Sequence, residues 1–464
     1  MPADDRPRDD EAEKVDLDRR GFFRAFGREA LQNAATVAGA VDALRRGTAA
    51  ATSELLGLGL ATPSSSAARL EEARLARIGA LGAAPGEAAG GFRSPYRLEE
   101  DAIVVLDQRR LPEIVEVRAV NAPEVARLFA DRIVNGGPLL AQLAAYGLAY
   151  SAERQRRAKP YARNALLRGA ANALRNGRPS SVGIGWALDR LTARWESVGE
   201  LSPGEVVADA LRAEADAIAS GLTVDLARLG RLAAERLPAP EGRELHVLVH
   251  GPVGALSAGM VGAGLSVIQA LVADGRGVHV YIPVGGLARS GERVTAWELA
   301  RGDVPSTVVP DAALGSLVEE VAIDAVLVAP ERVAADGSVL AAAGTYPLAL
   351  LAARQGIPFY VCTHSALVDL QAGSAERVPA DAHTGAELRI VGSLPVKPDP
   401  VVLRATDVTP ADLVRRFLTE EGLVGAPFPS GLAAAVAAGA ARRPSLPEPP
   451  ADRGQRREPT PVEA

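Results

Sequence analysis

The sequence predicts an α/β protein in which a hairpin-and-helices domain precedes a parallel-sheet domain, and a change of pattern near residue 240 is the main reason. Before that point, two strand-like segments lead into five helical patterns. After it, apolar runs of strand length alternate with helical segments. Strands alternating with helices build a parallel sheet with right-handed crossovers, and such sheets bind ligands at the carboxyl ends of their strands.

Composition divides the 464 residues into six segments. Both ends are rich in charge and proline and are expected to be disordered, while a stretch rich in Ala, Gly, Ser and Pro predicts a linker. The segments are a disordered arm (1–18), an amphipathic helix (19–47), the linker (48–93), the hairpin and helical domain (94–235), the parallel-sheet domain (236–433) and a disordered tail (434–464).

The amphipathic helix overlaps the heptapeptide DRRGFFR (18–24), which is similar to a twin-arginine export signal. The residues that follow include Arg28, Glu29 and Asp42, so the segment is too polar for the apolar core of such a signal. Its apolar residues recur at helical spacing instead. We therefore expect a helix that docks on a protein partner, with export as the alternative.

Charge and residue usage exclude several classes of function. The net charge is −6 with both signs spread along the chain, so no basic surface for nucleic acid is expected. No apolar run is long enough to span a membrane. The single cysteine, Cys362, fits the reducing cytoplasm, and the five histidines lack zinc-ligand spacing, so we expect neither a metal nor a cofactor.

A glycine-rich turn, HGPVGALSAGMVGAG (250–264), follows the first apolar strand of the parallel-sheet domain. Backbone N–H groups in such a turn can bind a phosphate. The same glycines also permit close packing of strand and helix. The acidic residue of a dinucleotide fingerprint is missing from the next strand, so the turn is not a typical dinucleotide site.

Several sequence blocks occur in the order found in one known family. They are LDQRRLP (106–112), AAYGLA (144–149), RPSSVGIGWALDRL (178–191), ERVTAWEL (292–299), AGTYPLALLA (343–352) and DVTPADL (407–413). In these blocks the chain resembles the 5-methylthioribose-1-phosphate isomerases, whose relatives include ribose-1,5-bisphosphate isomerases and regulatory subunits of the eukaryotic translation-initiation exchange factor 2B. The resemblance implies a Rossmann-like second domain, a homodimer and a phosphorylated small molecule as ligand.

The family converts an aldose 1-phosphate to a ketose 1-phosphate with a Cys and an Asp, and this chain departs at both positions. The Thr-His-Cys-Asn-Ala-Gly-Ala-Leu motif falls on VHGPVGAL, where His250, Gly254 and Ala255 match but the cysteine position is Gly251. The aspartate position is Glu331, which keeps a carboxylate one methylene further out. By the resemblance, Glu331 and His250 are the candidate catalytic residues.

The family's ligand-binding positions also differ. An arginine position is Asn135, a glutamine position is Ser290, and an Asn-Lys pair is Ala341 and Ala342. Residues that agree with the family include Trp186, Trp297, Glu298 and Tyr346, which are expected to shape the fold. The resemblance leaves as candidate ligand-binding residues Asn135, Arg178, Gly251, Gly254, Ala255, Ser290, Arg332, Gly344 and Thr345.

Several of these residues have two interpretations. Glu331 is either an acid/base group or an ion-paired turn residue, and Arg178 is either a phosphate clamp or part of a salt bridge. His250 either contacts the ligand or is a structural histidine. Cys362 and His364 alternate at the end of a strand, which makes either a nucleophile pair or, as favoured here, inert core.

Two functions follow. Because the substitutions fall on the chemical positions, the first is a diverged, non-catalytic family member that binds a phosphorylated sugar or nucleotide in a regulatory or assembly role. The alternative is an active methylthioribose-1-phosphate or related pentose-phosphate isomerase that uses Glu331.

Overall fold

The computed structural model describes residues 95–285, 290–302, 304–378 and 403–443, and three residue pairs at 382–383, 390–391 and 394–395. The predicted arm, amphipathic helix and linker lie outside these residues. None of the helices in the described part is long and apolar enough to cross a bilayer.

A small antiparallel sheet opens the described chain. Its strands, in the order β1-β2-β3, are β1 (Tyr96–Leu98), β2 (Ile103–Leu106) and β3 (Glu116–Ala119). The predicted strand pair corresponds to β2 and β3, and β1 adds a third strand. Ile103 and Val105 of β2 are fully buried and join the core of the helices that follow.

Five helices complete the first domain: α1 (Ala122–Ala130), α2 (Gly137–Arg154), α3 (Pro160–Gly177), α4 (Val182–Val198) and α5 (Gly204–Ala234). Asn121 caps α1 by accepting a hydrogen bond from the Glu124 N–H, and Glu124 accepts one from the Val120 N–H in return. Helix α2 is buried along its length from Gly137 to Ala152, as expected of a helix that is apolar on every side.

The second domain is built on a seven-stranded sheet in the order β18-β17-β10-β7-β4-β5-β6, parallel except for β18. The strands are β4 (Leu245–His250), β5 (Val278–Val284), β6 (Ser306–Pro310), β7 (Ala325–Val328), β10 (Phe359–Cys362), β17 (Arg416–Thr419) and β18 (Gly422–Val424). Its helices are α6 (Leu265–Ala273), α7 (Ser290–Arg301), α8 (Leu314–Glu320) and α9 (Thr345–Gln355). The predicted Rossmann-like α/β architecture is confirmed.

The strand order reverses at β4, whose neighbours are β5 and β7. In parallel sheets, a reversal of this kind leaves a crevice at the carboxyl ends of the two diverging strands. His250 ends β4, and Glu331 comes three residues after the end of β7. The topology therefore places both candidate catalytic residues at the same edge of the sheet.

A second sheet, in the order β11-β8-β9-β16, lies beyond β7. It consists of β8 (Arg332–Ala334), β9 (Val339–Ala342), β11 (Val368–Asp369) and β16 (Thr406–Thr409). Four two-residue strands also occur: β12 (Ala382–His383), β13 (Ile390–Val391), β14 (Leu394–Pro395) and β15 (Leu403–Arg404). Two of its strands, β8 and β9, form the part of the chain between Glu331 and the start of α9.

The last described helix, α10 (Phe428–Arg442), corrects the prediction of a disordered tail from residue 434. Its Leu432, Ala435 and Gly439 are buried. Tertiary packing therefore stabilises this helix, which the composition of the segment does not predict. The proline- and charge-rich composition that predicts disorder begins only at the end of this helix, and residues 444–464 lie outside the described part.

Candidate functional site

A small pocket lies at the carboxyl ends of β4 and β7, where the strand order reverses. Its walls come from the start of α2, the turn after β4, the loop after β7 and the ends of β9 and β10. They include Gly136, Pro252, Ser257, Glu331, Ala342 and Cys362. Among the described lining residues Glu331 supplies the charged group, and the rest are small or apolar.

Glu331 and Arg178 form a buried ion pair at this pocket. Arg178 Nη2 donates to Glu331 Oε1, and the two side chains are 3% and 14% exposed. The same guanidinium donates through Nη1 to Asn135 Oδ1 at 2.8 Å. Ser180 Oγ lies 3.4 Å from the other Glu331 oxygen. Three sequence-predicted residues thus meet, and the one cation among them is already paired with a carboxylate.

Gly251 lies directly beside Ala342, which lines the pocket. A Cβ built on Gly251 would lie 3.4 Å from the Cβ of Ala342. These are the positions at which the family motif has its cysteine and its lysine. The structure therefore brings the two lost functional positions together, and both carry small apolar residues here.

The glycine-rich turn holds an internal carboxylate. Glu298 of α7 accepts hydrogen bonds from the Leu256 N–H at 2.7 Å and from the Ala255 N–H. A Cβ at Gly254 would lie 1.7 Å from Glu298 Oε2, so glycine is required there for close packing. Burial raises the pKa of Glu298 to about 8, against the opposing effect of the two N–H donors. At Ala255 and Leu256, the close-packing interpretation of the turn therefore fits the structure, because these N–H groups are already bound.

The start of α9 shows the same arrangement. Asp407 Oδ2 accepts hydrogen bonds from the Gly344 N–H at 2.8 Å and the Tyr346 N–H at 3.1 Å. Gly344 has φ +102° and packs against the ring of His250, so a side chain is disfavoured there. Burial raises the pKa of Asp407 despite these two donors and the nearby His250.

Comparison with known proteins identifies the family. The chain matches the model of the initiation factor 2 subunit family over residues 133–426. It belongs to this family. It is 35% identical over 338 residues to a methylthioribose-1-phosphate isomerase of Chloroflexus aurantiacus, covering 72% of this chain and 96% of the relative. The corresponding relative from Anaeromyxobacter sp. strain Fw109-5 is 37% identical over 345 residues, 74% of this chain and 97% of the relative.

Solved structures of family members share the fold. The 5-methylthioribose 1-phosphate isomerase of Pyrococcus horikoshii OT3 matches with a TM-score of 0.65 and 27% identity, covering 74% of this chain and 96% of that chain. Subunit delta of the translation initiation factor eIF-2B from A. fulgidus matches with a TM-score of 0.61 and 25% identity, covering 73% and 99%. The resemblance inferred from the sequence blocks is confirmed.

Arg332, a family position that this chain retains, is used within the protein. Its Nε donates to the Ser180 carbonyl oxygen at 3.1 Å, Nη2 to the Pro179 carbonyl oxygen at 3.3 Å, and Nη1 to Asp369 Oδ2 at 2.8 Å. All three guanidinium nitrogens therefore donate to protein groups. In this structure Arg332 holds the loop that follows Arg178.

His250 is buried beside the pocket of this family member. Its Nε2 lies 3.2 Å from the Ala343 carbonyl oxygen, which requires the proton to be on that nitrogen. Its Nδ1 is buried and has no hydrogen-bond partner among the described residues. Thr345 Oγ1 donates to the Ala342 carbonyl oxygen, and Ser290 is the first residue of α7. The Nε2 contact fixes the His250 ring, and the unpartnered Nδ1 leaves both interpretations of this histidine open.

Cys362 and His364 do not form a nucleophile pair in this family member. The Cys362 thiol is fully buried, and burial raises its pKa. His364 Nδ1 accepts the Ala366 N–H at 3.0 Å, and Nε2 lies 2.9 Å from Asp225 Oδ2. Both nitrogens are therefore occupied, as the inert-core interpretation requires. Asp225, His364 and Glu420 are also close enough to suggest a metal site, but their polar atoms are satisfied by protein groups, including both Glu420 oxygens by the Ser365 N–H.

Glu298 and Asp407 were not among the predicted site residues, although both lie in the sequence blocks shared with the family. The sequence feature that could have pointed to them is a carboxylate within a block that is shared with the family. Sequence periodicity assigns Glu298 to a helix but does not show that its carboxylate reaches the turn after β4.

Proposed function

We propose that this protein binds a phosphorylated sugar or nucleotide at the pocket without carrying out the family's isomerisation, and that it has a regulatory or assembly role. The buried Arg178–Glu331 ion pair is the observation that carries this proposal. A catalytic carboxylate must be free to exchange a proton with the substrate. Glu331 instead neutralises the arginine that a phosphate would need.

The surrounding residues support the same proposal. The thiol position is Gly251, and the nearby Cys362 is a poor substitute because its thiol is buried and its pKa is raised. Loss of an acid/base group costs about 10²–10⁴-fold in rate, so replacing the family's cysteine should leave little turnover. A ligand phosphate would bind by displacing the Glu331 carboxylate from Arg178.

The alternative function is an active isomerase of methylthioribose 1-phosphate or a related pentose phosphate, with Glu331 as the acid/base group. One observation favours it: the Glu331 carboxylate lines the pocket, at the position of the family aspartate. The two functions make opposite predictions for the same substitution.

Substitution of Glu331→Gln separates them. If the protein only binds, Glu331→Gln releases Arg178 from its competitor, and methylthioribose 1-phosphate should bind about tenfold more tightly, equivalent to about 1.4 kcal/mol. If it is an isomerase, the wild-type protein should turn over this substrate and Glu331→Gln should abolish turnover. Calorimetric titration and a direct isomerase assay on the same preparations measure both.

Two further variants control this experiment. Glu113→Gln removes an exposed carboxylate paired with Arg110, and should change neither binding nor turnover. The double variant Arg178→Gln/Glu331→Gln contains no buried charge at this position and should lose the gain in affinity. Wild-type turnover at the level of the curated relatives would refute the non-catalytic proposal.

We also propose that the chain is a cytoplasmic homodimer and that the 19–47 segment docks on a protein partner. The family resemblance supports the dimer, and the single cysteine supports a reducing compartment. Light scattering should give about twice the chain mass of 48.1 kDa. Removal of residues 1–60 should leave ligand binding intact but abolish capture of the partner, and a periplasmic location would favour export instead.

A further inference from the structure

Two segments of the chain that line the pocket lie side by side. One is residues 135–138, at the start of α2, and the other is residues 256–258, in the glycine-rich turn. A Cβ built on Gly136, which has φ +111°, would lie 2.1 Å from the Ser257 carbonyl oxygen, so the two backbones are in direct contact at this point. We call the contact between these two segments the seam.

Gln108 bridges the two sides of the seam at one end. Its side chain is fully buried. Its Oε1 accepts a hydrogen bond from the Asn135 N–H at 3.0 Å, and its Nε2 donates to the Leu256 carbonyl oxygen at 2.6 Å. Because an amide side chain both accepts and donates, this one residue binds an N–H group of the first segment and a carbonyl group of the second.

Gln142 of α2 bridges the two sides at the other end. It is also buried, and its Nε2 donates to the Pro138 carbonyl oxygen at 3.2 Å and to the Ala258 carbonyl oxygen at 2.7 Å. The hydroxyl of Tyr96 on β1 donates to Gln142 Oε1 at 2.8 Å. This hydrogen bond fixes the orientation of the amide, with its nitrogen towards the two carbonyl groups.

The seam also leads to the ion pair at the pocket. Asn135, whose N–H is bound by Gln108, accepts a hydrogen bond from Arg178 Nη1 on its Oδ1 at 2.8 Å. Arg178 in turn pairs with Glu331, which lines the pocket. Gln108 therefore holds the backbone of the residue that orients this arginine.

We propose that Gln108 and Gln142 are positioning residues that hold the glycine-rich turn against the start of α2 and so keep the pocket in the shape that binds its ligand. This inference rests on the proposed function, because it takes the pocket as the ligand site. Replacing either amide leaves buried backbone groups of the seam without their partners, and opening of the seam to water relieves that cost. The seam should then open more often, and the ligand should bind less tightly.

The single cysteine gives a measure of this opening that needs no ligand. Cys362 is fully buried and lines the pocket, so its thiol reacts with iodoacetamide when the surrounding structure opens. Gln108→Met and Gln142→Met keep the side-chain volume and should each raise the labelling rate of the full-length protein about tenfold. Gln269→Met, at a buried glutamine of α6 outside the seam, is the matched control and should leave the rate unchanged.

Tyr96→Phe is a second test that leaves both glutamines in place. It removes the donor to Gln142 Oε1 and should raise the labelling rate about threefold in the wild-type protein. Because the hydroxyl acts through Gln142, this increase should largely disappear in the Gln142→Met background. Urea unfolding of each variant allows the labelling that occurs through global unfolding to be subtracted.

Calorimetric titration of the same preparations with methylthioribose 1-phosphate separates this inference from the proposed function. Gln108→Met should bind this ligand about tenfold less tightly than the wild-type protein. If the wild-type protein binds none, the proposed function fails, while the labelling rates still decide whether the glutamines hold the seam. Wild-type labelling rates in both glutamine variants, an equal increase in Gln269→Met, or equal effects of Tyr96→Phe in the two backgrounds would overturn the inference.

Discussion

Glu298 is buried, and burial disfavours the ionised form of its carboxyl group. Its Oε1 accepts the Leu256 N–H, while Oε2 is buried without a partner among the described residues. Burial raises its pKa to about 8 from the ordinary glutamate value of about 4.5. The folded state therefore binds more protons than the unfolded state between these two pH values, and its stability should fall as the pH rises through that range.

The variant Glu298→Gln should remove this pH dependence. Glutamine can still accept the backbone hydrogen bond but cannot ionise. We expect the free energy of unfolding of the wild-type protein to decrease relative to Glu298→Gln by a few kcal/mol between pH 5 and pH 9. Urea unfolding at several pH values measures this. Parallel pH profiles for the two proteins would show that Glu298 does not titrate in this range.

At the scale of elements, helix α5 connects the two domains by belonging to both cores. Its residues Val207 to Leu222 pack in the core of the helical domain, and Leu226 to Ala234 pack in the core of the parallel-sheet domain. Gly230 lies in close contact with α6, where a Cβ would lie 2.5 Å from the Ser266 carbonyl oxygen. Gly221, on the same helix, has no atom within 4 Å of the corresponding position.

These two glycines make a matched pair of variants. Gly230→Ala should destabilise the protein by about 1–3 kcal/mol, because α6 must move away from α5. Gly221→Ala should stabilise it by about 0.5–1 kcal/mol, because alanine is the better helix former and meets no obstacle. Chemical denaturation of both variants checks the prediction. An equal effect of the two substitutions would contradict the close approach of α5 and α6.

At the scale of the whole molecule, a buried polar cluster ties α10, the last helix described, to both domains. Asp225 of α5 contacts His364 after β10 and Arg442 at the end of α10, and Arg443 Nη2 donates to Ser365 Oγ at 2.9 Å. Burial opposes ionisation of Asp225, but hydrogen bonds from His364 and Arg442 outweigh it and lower its pKa to about 2. Helix α10 follows the part of the chain that matches the family model.

We expect Arg442→Gln to destabilise the protein by about 2–3 kcal/mol at neutral pH, because it leaves the buried Asp225 carboxylate without its arginine. Asp225 has a lowered pKa, so this difference should be present above about pH 4 and should shrink as the pH falls towards 2. Arg110→Gln, at an exposed pair, should leave stability essentially unchanged. Thermal and urea unfolding measure both, and equal effects of the two substitutions would refute the role of the cluster.

The sequence by itself determined the fold class, the order of the two domains and the family. Hydrophobic periodicity and the order of the sequence blocks can be read along the chain without knowing which residues are in contact. It also showed which functional positions had changed, such as Gly251 and Glu331. It did not predict helix α10, since an alanine-rich helix of this length is stabilised by its neighbours more than by its own residues.

Only the tertiary structure decided which groups pair with which. Arg178 and Glu331 are 153 positions apart, and Glu298 and Leu256 are 42 apart. No local pattern shows that these residues meet, so the sequence left both the phosphate-clamp and the ion-pair interpretations of Arg178 open. The fold brings them together at the strand reversal, where excluding water makes an unpaired charge costly. That cost is why Arg178 takes Glu331 as its partner within the protein.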